Sequence, residues 1–144
     1  MSIGELVTIK LTHPFIKGIN HSAMTAPPGQ EDQARSFYSG LLKMEEGAIP
    51  AHLGNLQGQV KTGLIWFVFN DAMIHIVFDE AHTPIPAGRH LCFQIDNLTA
   101  LHQSLTTHGH LPFGEEKLSD RERFFVKDPF DNCLEFLEFQ PSRA

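Results

Sequence analysis

His21, His75, His90 and Glu135 are the residues of this chain whose types and spacing could do chemistry. They lie in the runs INHSAM, AMIHIVF, RHLCFQI and NCLEFLE, each apolar and strand-like. A polar side chain in the middle of such a run costs free energy to bury without a partner. A single strand histidine is ordinarily a hydrogen-bonded core group, and Glu135 alone could be a paired acid. Four such residues in two similar pairs are better explained by a shared ligand. Imidazole with carboxylate suits Zn, Fe, Ni, Co or Mn, and two histidines with one carboxylate leave coordination positions open for substrate. His21, His75, His90 and Glu135 are therefore the expected metal ligands, with His75 and Glu135 also the catalytic candidates. The remaining histidines, His13, His52, His82, His102, His108 and His110, fall in loops, termini or helix surface, where solvation is the expected state.

The pairing comes from an internal repeat, which bears directly on the fold. The first half runs from Gly18 to His21, through a helical segment with Ala34, Phe37 and Tyr38, to Trp66, a turn, and His75. The second runs from Gly88 to His90, through a helical segment with Leu98, Leu101 and Leu105, to Phe124, a turn, and Glu135. Aligning Trp66 with Phe124 makes the second hairpin two residues longer and puts His75 and Glu135 in equivalent places.

These positions need elements to hold them. Strands are expected at 18–25, 64–69 and 72–78, the last two around an Asn70-Asp71 turn suited to a hairpin. A helix opens at Gln30-Glu31-Asp32, with acids suited to its first turn and apolar residues recurring through Leu42. The stretch 44–62, broken by Pro50, Gly54 and Gly58, reads as a weak strand and a mobile loop. In the second half the expected strands are 89–95, 112–117, 122–127 and 133–139. The helix there is capped by Asp96 or Asn97 and stops at Gly109. The order is βαβββ twice, an α+β class. Residues 1–16 are an N-terminal extension, 17–80 the first module, 81–88 a Pro- and Gly-bearing linker, and 89–140 the second module, together one domain.

Composition narrows the function. With 144 residues the chain can bury an ordinary core without a disulfide. Its net charge of −6 and lack of any Lys/Arg run exclude a general nucleic-acid role. No apolar stretch approaches a membrane span, and the N-terminus does not read as a signal peptide. Cys92 and Cys133 form no CxxC and read as small core residues, so a cytoplasmic, reducing setting is expected. Arg89, Arg121, Arg123 and Lys127 could meet an anionic substrate, although solvated surface is the ordinary fate of such cations.

The segments GINHSAM, QARSFYSGLLKMEE, RHLCFQIDNLTAL and RFFVKDPFDNCLEFLE resemble the vicinal oxygen chelate superfamily over residues 18 to 140. That superfamily includes glyoxalase I, extradiol dioxygenases, fosfomycin-resistance enzymes and bleomycin-binding proteins. The resemblance implies two βαβββ modules forming a U-shaped mixed sheet around a divalent metal (Fe, Ni, Zn or Mn). By it, His21 and His90 match the ligands on the first strands of the modules and Glu135 the ligand on the last strand. His75 falls where isomerase-type members carry Glu or Gln, which speaks against glyoxalase I activity, because that carboxylate helps move the substrate proton. Imidazole could instead serve as a base or a fourth ligand. Two turn glycines of the family are replaced here by Lys43 and Asp131. The implied function is a metal-dependent enzyme, dioxygenase-like or isomerase-like, acting on a small substrate with vicinal oxygens. The family's pairing habit and the exposed sheet edges point to a homodimer. The alternatives are a metal-free protein that sequesters a drug or metabolite, as bleomycin-binding relatives do, and a non-catalytic sensor with a structural metal.

Overall fold

Alternation along the strands divides each sheet into a buried face and a face that carries the chemistry-bearing side chains. The computed structural model describes residues 13–50 and 63–141; the expected loop at 51–62 and residues 1–12 of the N-terminal extension lie outside the described residues. The strands are β1 (His21–Ala26), β2 (Glu45–Gly47), β3 (Gly63–Phe69), β4 (Ala72–Phe78), β5 (Leu91–Gln94), β6 (Phe113–Lys117), β7 (Arg121–Lys127) and β8 (Cys133–Phe139). They form two four-stranded mixed sheets, ordered β1-β4-β3-β2 and β5-β8-β7-β6. In each, the first strand runs parallel to the last and the other pairings are antiparallel. The expected duplicated βαβββ order is therefore the observed one.

By contacts the chain divides into two compact units. One comprises Ile19–Pro86 with Asp128–Asn132, and the other holds Ala87–Lys127 and the chain from Cys133 onward. In the first unit, Met24, Ala26, Ile65, Phe67, Ile74, Ile76 and Phe78 are buried. Helix α1 (Glu31–Ala34), with Glu31 and Asp32 in its first turn, continues as a π-helical stretch, Arg35–Leu41. The Leu42 amide reaches back five residues to the Phe37 carbonyl, and this wider turn leaves adjacent Phe37 and Tyr38 both buried. Periodicity alone pointed to an ordinary helix there.

Asp128–Asn132, although flanked in sequence by β7 and β8, belongs to the first unit. Tyr38 donates its hydroxyl to Asp128 Oδ2 at 2.6 Å. Asn132 Nδ2 donates to the Thr25 carbonyl, and Asn132 Oδ1 accepts from the Ile85 amide. Asp128 also accepts from the amides of Phe130 and Asn132 and from Asn132 Nδ2. Burial pushes the Asp128 carboxyl up while these donors oppose the shift. Burial and the Asp128 charge hold the Tyr38 phenol well above its usual range. His82, expected on solvated surface, is instead half-buried, with Nδ1 2.7 Å from Thr25 Oγ1 and Nε2 2.8 Å from the Phe130 carbonyl.

In the second unit, Phe93, Phe124, Val126, Leu134 and Phe136 are buried, with Leu98 and Leu105 of helix α2 (Leu98–Thr107). Asn97 caps α2 by accepting from the Ala100 amide, and its φ of 61° is left-handed. Glu138 of β8 accepts from the amides of Asn97 and Leu98, so a carboxylate satisfies two further donors at that terminus. Lys43 and Asp131, which stand where the family carries glycine, have φ of 62° and 66°, so the left-handed turns persist without glycine.

Two strand starts differ from the sequence expectation by two or more residues. β1 begins at His21 rather than residue 18, because its partner β4 begins at Ala72; residues before Asn20 would have no partner there. β5 begins at Leu91, after a 3₁₀ turn at Ala87–Arg89, so His90 lies at the mouth of the strand rather than within it.

Candidate metal centre

The strand registers show the internal symmetry of the four candidate residues. In the first unit His75 pairs with Ala23 on β1 and Trp66 on β3. In the second, Glu135 pairs with Cys92 on β5 and Phe125 on β7. His21 lies two residues before Ala23, and His90 two residues before Cys92. A two-residue step along a strand returns to the same face, so each unit carries a first-strand histidine and a last-strand donor on one face. The register corrects the alignment of Trp66 with Phe124: the residue equivalent to Trp66 is Phe125. The five-residue Asp128–Asn132 turn hides this in the sequence.

In the first unit the His21 and His75 rings stack at 3.9 Å and 10°, and Trp66 stacks on His75 at 4.6 Å and 6°. His21 Nδ1 lies 2.8 Å from Asn20 Oδ1. An amide oxygen can only accept, so Nδ1–H donates to it, and in the neutral ring Nε2 keeps its lone pair. Among the described residues, His75 Nε2 and Trp66 Nε1 are buried without a hydrogen-bond partner. Burial, followed by the charge of His21, pulls His75 down to about 4, so it is neutral at neutral pH.

In the second unit His90 Nε2 lies 2.7 Å from Glu135 Oε1, and His90 Nδ1 lies 2.5 Å from the Ala87 carbonyl. The edge of one ring faces the other where His90 meets Phe125, at 4.9 Å and 88°. Arg123 sits over the Phe125 ring at 4.6 Å and points Nη1 toward Glu135 Oε2 at 4.0 Å. Desolvation of the thiol, followed by the neighbouring Glu135 carboxylate, pushes Cys92 up to about 12. The residue itself stays exposed, so the charge of Glu135 is the firmer cause. Without a metal, Cys92 is then a neutral thiol at neutral pH.

The structure thus brings His21 to His75 and His90 to Glu135. Among the described residues, three or more metal-competent side chains are not gathered in one group. Sequence reasoning missed Trp66 and Phe125 as ring partners, since each is identified only by register. It also missed the bond between His102 of α2 and Glu115 of β6.

No protein-family model matches the chain, and no curated protein matches it either. Among solved structures, a glyoxalase family protein from Bacillus anthracis is 32% identical, with 90% of this chain and 100% of that one covered at a TM-score of 0.75. A glyoxalase/dioxygenase from Nostoc punctiforme is 17% identical over 92% and 99% of the chains, TM-score 0.72. The fosfomycin resistance protein FosX from Listeria monocytogenes is 13% identical over 86% and 94%, TM-score 0.67. The latter two likenesses speak to the fold. A duplicated βαβββ module with paired donors on one face of each sheet is the vicinal oxygen chelate design. This chain belongs to the glyoxalase family of that superfamily.

Proposed function

We propose that the protein is a divalent-metal-dependent enzyme acting on a small molecule with two adjacent oxygens, and that His21, His75, His90 and Glu135 are its metal ligands. The bonding of His90 carries the reading. Its two ring nitrogens both face oxygen acceptors, the Ala87 carbonyl and the Glu135 carboxylate. An Nδ1–H bond to the carbonyl would fix the tautomer whose Nε2 lone pair faces Glu135, so Nε2 and Oε1 together could take a divalent ion. His21 has the same arrangement through Asn20, and His75 offers a buried nitrogen without a partner.

When bound, such an ion would supply Lewis acidity to a chelating pair of oxygens. The remaining work falls to the chain. His75, at about 4, is a weak base at neutral pH, so the role of neutral ligand suits it better than proton acceptor. Its ring is held by the stack between Trp66 and His21. Glu135, with Oε1 beside His90, keeps Oε2 to hold or move a substrate proton. A homodimer goes with this reading, supported by the exposed edge strand β6. The free cysteines suit a reducing, cytoplasmic setting. Among the described residues no helix is long and apolar enough to cross a membrane.

Trp66 is the only tryptophan in the chain, and it stacks on a proposed ligand. Titration of chelator-treated protein with Mn, Fe or Ni should therefore quench its fluorescence saturably. His75→Ala and Glu135→Ala should lose the saturable phase, and the loaded wild type should turn over a vicinal-oxygen substrate. Absence of saturable quenching with all three metals would make metal-free sequestration the working account.

A further inference from the structure

We infer that the outer face of His21 is a stacking platform for a planar aromatic ring, so that the small molecule held by the first unit carries an uncharged aromatic group. Stacking uses the flat face of the imidazole and leaves its Nε2 edge free. The inference therefore goes beyond the metal-site reading and needs no metal.

Alternation along β1, β3 and β4 gives the first unit one closed face and one half-open face. On the closed face Ile65, Phe67, Ile74 and Ile76 are buried. On the other, register places His21 opposite Met73 and sets His75 between Ala23 and Trp66. Leu64, Val68, Met73 and Val77 surround the rings there and are half-buried. No Asp, Glu, Lys or Arg stands on this face in β1, β3 or β4. Glu45 of β2 shares it only at the opposite edge of the sheet from β1, where it pairs with Val68. An ion entering such a face would lose its hydration without finding a partner, whereas an apolar group would not.

The rings set the shape of the ligand. Trp66, His75 and His21 form a ladder across the strands, with successive planes 6° and 10° apart and centroids 4.6 and 3.9 Å apart. Trp66 and His75 are half-buried, whereas His21, on the edge strand β1, is exposed. Its contact with Asn20 Oδ1 at 2.8 Å holds the ring in its plane. His75 covers one face of His21, and among the described residues no ring covers the other. A fixed flat ring with one open face is preorganised for a further ring at similar spacing. A saturated group would touch the same surface without the electrostatic gain of stacked rings. The second unit offers no such platform: His90 meets Phe125 edge-on at 88°, and Arg123 and Glu135 stand on its face.

The test is calorimetric titration of the metal-free protein, in excess chelator, with 2-naphthol and with decahydro-2-naphthol. The second probe has the same skeleton and hydroxyl but no aromatic ring. Wild type is compared with His21→Leu, His21→Phe and His90→Leu. The wild type should bind 2-naphthol saturably, about fivefold or more tighter than the saturated alcohol. His21→Leu should bring the two affinities within about twofold. His21→Phe keeps a flat ring without a metal-binding nitrogen and should restore the preference, and His90→Leu should leave it unchanged. No saturable binding of 2-naphthol, or equal binding of the two alcohols by the wild type, would overturn the platform. So would a preference that survives His21→Leu, fails to return in His21→Phe or disappears in His90→Leu. Since the titration excludes metal, failure here leaves the metal-site reading standing, and failure of the metal titration leaves the platform standing.

Discussion

Acidification of the metal-free protein tests the His21–His75–Trp66 ring stack quantitatively. Burial and His21 hold His75 down to about 4 from an ordinary value of 6.5. The folded state therefore resists protonation of this ring, whereas the unfolded chain takes up the proton readily. The unfolded state binds more protons between these two values, so stability is full above about pH 6.5 and falls as pH drops toward 4. At pH 5 the linkage relation gives about 2 kcal/mol as an upper bound from His75, and solvent reaching the partly exposed ring reduces this to about 1 kcal/mol. Urea unfolding followed by circular dichroism, in excess chelator at pH 7 and pH 5, measures it. His75→Phe keeps a ring in the stack and removes the titration, so the difference between the two proteins cancels other acid effects. The wild type should lose about 1 kcal/mol more than His75→Phe between the two pH values. Losses that agree within about 0.3 kcal/mol would refute the assignment of His75 as an imidazole held neutral in the folded state.

Further outcomes follow from other contacts. Lys43→Gly should stabilise by roughly 0.5–1 kcal/mol in thermal unfolding, because the left-handed strain at φ 62° outweighs the entropy of glycine. Tyr38→Phe should destabilise by about 1–3 kcal/mol, measured by urea unfolding, since it leaves buried Asp128 without one of its donors. Gly114→Ala should weaken metal binding by about tenfold or more in a fluorescence titration, without touching a proposed ligand. Its Cβ would meet Phe125 Cδ2 at 2.8 Å, and Phe125 packs against His90.

The sequence carried the strands because short apolar runs such as AMIHIVF, rich in β-branched residues and bounded by turn residues, suit a strand of a packed sheet. A cap at Asp96 or Asn97 and the Gly109 stop were legible because each residue type answers one backbone demand; the structure decides for Asn97. The π-helical stretch was not, since apolar spacing around Phe37 and Tyr38 fits an ordinary helix as well. Register was the other gap. The length of the 128–132 turn decides whether Phe124 or Phe125 faces Glu135, and that turn takes its conformation from Tyr38, Thr25 and Ile85, far away in sequence. His21, His75, His90 and Glu135 could be singled out by type. Asn20, the Ala87 carbonyl and Trp66 could not, because their contacts exist only once the strands are paired.

Metal analysis of protein purified without an affinity tag tests the central claim most directly, with His21→Ala and Glu135→Ala measured alongside. The account predicts about one divalent transition metal per chain in the wild type and its loss in both variants. A wild type that holds no metal, even after incubation with Fe, Ni, Zn or Mn, would contradict it.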